Sequence, residues 1–174
     1  MTFAARQTDG PAREASSPRR SAESPPSPVL RPMTEADLDA VSAIYVAHAR
    51  EAPPSGWREG VRRLLSGGAG RGAALVASLP DGEVVGYAVA EVRSWEFGSP
   101  PAGWITGLGV AQAHQHRGIA RALLSVLVAH LHAAGVTAVR SMAKRDDVAV
   151  LRLFRSSGFS AGPYVELEHS QEGT

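Results

Sequence analysis

A mixed β-sheet flanked by helices, α/β or α+β in class, is the fold this sequence predicts. Short apolar runs of strand length alternate with stretches at helical spacing. Two such runs meet at a Pro80-Asp81-Gly82 turn, and Asp-Gly is a strong hairpin signal. A long amphipathic segment then separates that hairpin from two further strands, and helices interleaved with strands imply layers around a sheet. With 174 residues and 18.2 kDa, the chain has room for one domain of this kind.

The elements follow in order. Residues 1–28 contain no Val, Ile or Leu but five Pro and five Ser. Such a segment cannot offset its ordering entropy by burial, so it is expected to be a disordered tail, with residues 29–170 as the folded domain. Val29 to Arg31 reads as a first strand. Thr34 with Asp37 three residues later resembles a capping box, and Leu38, Val41, Ile44 and Tyr45 recur at helical spacing. Pro53, Pro54 and Gly56 break that helix, and a second runs from about Trp57 to Leu65. The Gly-rich run Gly67 to Gly72 is expected to be a loop without the spacing or Lys of a phosphate loop.

The hairpin strands are Ala73 to Ser78 and Val84 to Arg93. A loop over 94–102 leads to a strand from Trp104 to Val110. The long helix covers about Gly118 to Ala133, with Ile119, Leu123, Leu124, Leu127, Val128 and Leu131 as its apolar stripe and Gly135 after its end. Val136 to Met142 reads as a strand. Asp147 to Ser156 reads as a short helix that buries Val148, Leu151 and Phe154, ended by Gly158. Tyr164 to Leu167 reads as the last strand.

Composition excludes several functions. There is no Cys, which removes disulfides, thiolate metal sites and Cys nucleophiles. The formal net charge is +1, too balanced for a typical nucleic-acid binder. The longest mostly apolar stretch, Ala122 to Val136, falls short of the roughly 20 residues of a membrane span. The tail lacks the apolar core of a secretory signal, so a cytoplasmic protein is expected, without nucleic-acid or membrane partners.

The chemistry concentrates in Leu108-Gly109-Val110-Ala-Gln-Ala-His114-Gln115-His116-Arg117-Gly118-Ile119-Ala120-Arg121. A strand ends at Val110 and a helix begins near Gly118. The free N–H groups of a helix start carry the positive end of its dipole and suit phosphates. Gly118 and Ala120 are small enough to let a diphosphate approach the backbone, and Arg117 and Arg121 add positive charge. Neither a Walker nor a Gly-x-Gly-x-x-Gly pattern is present.

This stretch resembles the acyl-CoA motif of the GNAT superfamily of N-acetyltransferases, Gln/Arg-x-x-Gly-x-Gly/Ala after a Leu-x-Val strand. It reads here as Gln115-His116-Arg117-Gly118-Ile119-Ala120, five residues past Val110. The Thr34 helix start, the Asp81-Gly82 hairpin and the Gly158-Phe159 ending fall in the family's order, so the resemblance covers about residues 29–168. It implies a mixed, mostly antiparallel sheet of six to seven strands flanked by about four helices. It implies acetyl-CoA as cosubstrate, an amine-bearing acceptor and no metal, and it is compatible with a homodimer. Leu108, Gly109 and Val110 would meet the pantetheine arm. Gln115, His116, Arg117, Gly118, Ile119, Ala120 and Arg121 would hold the pyrophosphate.

Two positions depart from the pattern. Many members have Asn where Asp147 stands and Tyr where Phe154 stands, both beside the cosubstrate. Phe154 has no proton for a leaving thiolate, and Asp147 also reads as a helix N-cap. Trp104 occupies the place of the general-base Glu of some members. Glu91 and Glu96 are then the nearest carboxylates for that role, each also readable as an exposed strand-edge charge, and a base acting through water is an equal alternative. Trp95, Phe97 and Tyr164 are aromatics that could line an acceptor pocket. Two functions stay open: an N-acetyltransferase, and a catalytically weak acyl-CoA-binding module of the same fold.

Overall fold

A computed structural model describes residues 26–67, 72–94 and 98–169. Most of the predicted tail and the Gly-rich loop therefore lie outside the described residues, as do Trp95, Glu96 and Phe97. The strands are β1 (Val29–Pro32), β2 (Gly72–Ser78), β3 (Val84–Arg93), β4 (Ala102–Val110) and β5 (Ala138–Ser141). The helices are α1 (Leu38–Ala49), α2 (Trp57–Ser66), α3 (Ile119–Ala133) and α4 (Val148–Ser156). The sheet runs in chain order, β1-β2-β3-β4-β5, antiparallel throughout except for the parallel pair β4–β5. A parallel pair needs a crossover, and α3 is that crossover.

Helices cover both faces. The α3 stripe Ile119, Leu123, Leu124, Leu127 and Leu131 is buried against Leu75, Ala77, Val85, Ala88, Ala90 and Ile105. Each such Leu contributes about 2 kcal/mol by leaving water. On the opposite face, Leu38, Val41 and Ile44 of α1 and Val61 of α2 pack with Val76, Tyr87 and Val89. Strand β2 is covered on both sides, and every one of its residues is buried. That is why it reads as an unbroken apolar run rather than an alternation.

The N-terminal cap forms as predicted: the Asp37 carboxylate accepts the Thr34 N–H at 2.7 Å and its hydroxyl at 2.8 Å. The same carboxylate takes both Nη atoms of Arg31, at 2.7 and 2.8 Å, which anchors β1 to the start of α1.

Two expectations are corrected. Among the described residues the sheet has five strands rather than six or seven, because residues 164–169 form no strand. Val165 and Leu167 are 76% and 90% exposed. Alternating residues supply a strand with a face, but a strand exists only with a hydrogen-bonded neighbour. Helix α4 also packs in a different phase from the one predicted. Leu153 and Phe154 join the core, while Val148 is 62% exposed and no residue of α4 is fully buried. With no sixth strand beside it, the Val148 and Leu151 side has nothing to cover.

Candidate active site

Strand β4 has different neighbours along its two edges. It pairs with β3 from Ala102 to Val110, but with β5 only from Ala102 to Ile105. A β-bulge falls at the fork: Val89 faces Gly107 and Ala90 faces Ile105, leaving Thr106 unmatched. Bulges bend and twist the strand that carries them. Beyond Ile105 β4 has no partner on this side among the described residues, because β5 ends at Ser141, and β4 presents an open edge there.

The groups on that edge follow from the ladder. The Ala111 N–H donates to the Val85 carbonyl at 2.9 Å, on the β3 side. Alternation along an antiparallel strand then turns the N–H and carbonyl groups of Leu108 and Val110 toward the open edge. Gly109 has a packing reason to be glycine. A Cβ there would stand 2.7 Å from the Tyr87 ring and 3.3 Å from Ile44. Gly107 crosses the same ring, so Tyr87 lies flat under the edge of the cleft. Burial pushes the Tyr87 phenol up to about 12.

The turn after β4 brings the helix start to this edge. A short 3-10 turn, Gln112–His114, precedes Gly118, which caps α3 from a left-handed conformation at φ 79°. No side chain caps the helix, so the N–H groups of Ile119, Ala120 and Arg121 are left without intrahelical partners. A Cβ at Gly118 would meet nothing within 4 Å, so the space before the helix is open. His116 also has a positive φ, 61°, which costs a non-glycine residue about 1 kcal/mol. Arg117 and Arg121 are exposed and form no ion pair with a described residue. Free N–H groups, the helix dipole and two arginines make this end suited to a phosphate-type anion.

Several predicted site residues do something else with their side chains. The Gln115 amide donates to the Val110 carbonyl at 3.2 Å and approaches Nε2 of His48 at 3.0 Å. The Ile119 and Val110 side chains are core, so only their backbones face the site. The Asp147 carboxylate caps α4, accepting the Val150 N–H at 3.0 Å. Phe154 packs onto the core and meets Phe159 edge to face, with ring centroids 5.0 Å apart. Glu91 is held by Arg93 at 2.6 and 2.8 Å and lies across from Trp104 in the ladder. Glu96 lies outside the described residues. Leu108, Gly109, Val110 and the 115–121 turn do converge on one edge of the sheet, whereas Asp147 and Glu91 are engaged elsewhere.

The matches to known proteins agree with this geometry. A model of the acetyltransferase (GNAT) family matches residues 42–159, more than half of the chain. The chain belongs to the GNAT acetyltransferase family. It is an acyltransferase, with the family's mixed sheet flanked by helices. No curated protein matches it in sequence. Among solved structures it is similar to AAC(6')-Iy in complex with a bisubstrate analogue, CoA-S-monomethyl-acetylneamine. The TM-score is 0.70 at 18% identity, covering 83% of this chain and 98% of the other. The aminoglycoside 6'-N-acetyltransferase AAC(6')-IG from Acinetobacter haemolyticus gives 0.65 at 21%, over 83% and 99%. An acetyltransferase from Trypanosoma brucei gives 0.63 at 23%, over 82% and 99%. At these identities the likeness is one of fold. Among the described residues no helix is long and apolar enough to cross a membrane.

Proposed function

We propose that this GNAT protein transfers an acetyl group from acetyl-CoA to a primary amine by direct attack. The observation that carries the proposal is the open edge of β4. The Leu108 and Val110 N–H groups face a gap that ends at an uncapped helix start. Pantetheine would lie along that edge as an added strand, and the pyrophosphate would sit on the N–H groups of residues 119–121. The amine nitrogen would attack the thioester carbonyl. Its oxygen would take negative charge beside a β4 N–H, an interaction worth about 10²–10³ in rate where such a donor is removed. The C–S bond then breaks, CoA leaves as thiolate, and the amine's extra proton goes to water, because Glu91 is held by Arg93. The bisubstrate complex of a neighbour of the same fold supports this choice of cosubstrate.

The residue at position 154 favours a second reading, a catalytically weak acyl-CoA-binding module. Phe154 and Asp147 stand where many members carry Tyr and Asn, and here they serve packing and capping. Calorimetry with acetyl-CoA, followed by CoA release across a panel of amines, separates the two. Binding with turnover supports the enzyme. Binding with no turnover supports the module, and no binding rejects both.

A further inference from the structure

On the face of the sheet away from α3, a group of side chains closes the fork of the cleft. A Cβ at Gly103 would strike Leu131 at 2.8 Å, and Ile105 packs in the α3 core, so Trp104 between them points to the other face. Trp104 is flanked by two guanidinium groups, Arg93 at 5.0 Å and Arg140 at 5.8 Å from its ring centroid. Arg140 also lies 5.1 Å from the Tyr164 ring, so two aromatic faces hold it. Trp104 and Arg140 are paired across β4 and β5, one step before the pairing ends.

The charges of this group are not balanced. Glu91 is taken by Arg93. Arg140 has no carboxylate among the described residues, and its only hydrogen bond there is to Oγ of the buried Ser99, at 3.3 Å. The indole N–H of Trp104 is buried and has no acceptor. Among the described residues, Arg140 and the Trp104 indole thus keep donor groups without a carboxylate or carbonyl partner at this end of the fork. Burial without a partner is costly for such groups. Two stacked rings fix the Arg140 fork, and a fixed fork matches a carboxylate in two parallel hydrogen bonds.

We infer that Arg140 is the carboxylate-recognition residue of the acceptor site, so the acceptor is an amine that also carries a carboxylate, and not a polycation. The inference rests on the acetyl-transfer reading above. From the Trp104–Arg140 pair to Leu108 is four residues of strand, about 13 Å at ~3.3 Å per residue. An arginine side chain and an amino acid or dipeptide together bridge that length. The amine end then reaches the open edge while the carboxylate rests on Arg140.

The test uses the full chain saturated with acetyl-CoA or CoA, and matched acceptors: β-alanine, γ-aminobutyrate and glycylglycine, each against its amide, with a polyamine as the cationic arm. Each acid should bind the CoA-loaded protein about 10- to 100-fold more tightly than its amide, the range of a charged hydrogen bond. The same preference should appear in kcat/KM. In Arg140→Gln the preference should vanish through KM with kcat nearly unchanged, and acetyl-CoA affinity should be kept. Equal binding of acid and amide to the unsubstituted chain, or preference for the polyamine, overturns the inference whatever the variant does. A preference that survives Arg140→Gln assigns it to another residue and also overturns it. Tighter binding of the acids without any acetylation leaves the subsite standing and rejects the transferase reading instead.

Discussion

The side-chain amide of Gln115 lies 3.2 Å from the carbonyl oxygen of Val110, across the turn that joins β4 to α3. The bond ties the last residue of the open edge to the residue three before Gly118. His48 completes the strut: its Nδ1 is 2.8 Å from the Ile44 carbonyl, and its Nε2 meets Gln115. With Nδ1 donating, Nε2 is the acceptor that the Gln115 amide requires. Gln115 thus positions the turn. Gln115→Ala should cost about 1 kcal/mol of stability for the lost hydrogen bond. It should weaken acetyl-CoA binding by roughly three- to tenfold with kcat little changed, as calorimetry and saturation kinetics would show.

Gly118 stands at the other end of this turn. Gly118→Glu puts a charged side chain into open space in front of the α3 N–H groups, at a φ of 79° that a side chain tolerates poorly. The backbone strain should lower stability by about 1 kcal/mol. The sharper effect should be on the cosubstrate. Unmutated protein at roughly 100 times its dissociation constant should gain about 2.7 kcal/mol from acetyl-CoA, and the variant should show no thermal shift. A folded Gly118→Glu protein that binds CoA normally would place the pyrophosphate elsewhere.

Phe154 is partly buried and packs edge to face on Phe159. Phe154→Tyr should change kcat by less than about tenfold, because a thiolate near its own pKa of about 8.5 leaves without a protein acid. The pH–rate profile should rise to a plateau set by amine deprotonation. A hundredfold gain with a new alkaline limb near pH ~10, where a Tyr ionises, would instead mark the unmutated chain as a module lacking its acid. Phe154→Ala should cost about 2 kcal/mol, below the range of a fully buried ring, since Phe154 keeps some exposure.

Asp37 gives the fold a defined acid dependence. The Arg31 guanidinium, with the N–H and hydroxyl of Thr34, holds its carboxyl down to about 2, from an ordinary 3.8. The folded value is the lower one, so the contribution is fully present above about pH 4–5 and is lost as pH falls toward 2. It amounts to about 2 kcal/mol. Asp37→Asn should lose roughly that at neutral pH, and urea titrations of the two proteins should converge only as pH falls to about 2.

Gly109→Ala tests why the motif strand is so slender. The added methyl would meet Tyr87 at 2.7 Å and Ile44 at 3.3 Å. Overpacking of this kind should cost about 1–3 kcal/mol in a denaturation experiment. Gly109→Ala combined with Tyr87→Phe should not recover it, because the clash is with the ring and not the hydroxyl.

The elements legible in the sequence were those with a strong local cause. The α3 stripe from Ile119 to Leu131, the Asp81-Gly82 hairpin and the Thr34–Asp37 cap each depend on residues close along the chain, and each formed as read. The Gly118 helix start was legible for the same reason. What depended on distant partners was not. Whether Tyr164 to Leu167 makes a strand depends on a neighbour for its N–H groups, and whether Val148 is buried depends on what lies against α4. Alternation and period carry neither fact. Two side chains took roles the sequence did not show, Gln115 as a strut and Glu91 as a partner for Arg93, while Asp147 took the N-cap role that the sequence had offered. Arg140 had no signal at all in the sequence, being one arginine among many. It stands beside Trp104 only because β4 and β5, separated along the chain by α3, pair as parallel neighbours there, with the pairing ending at the next residue pair.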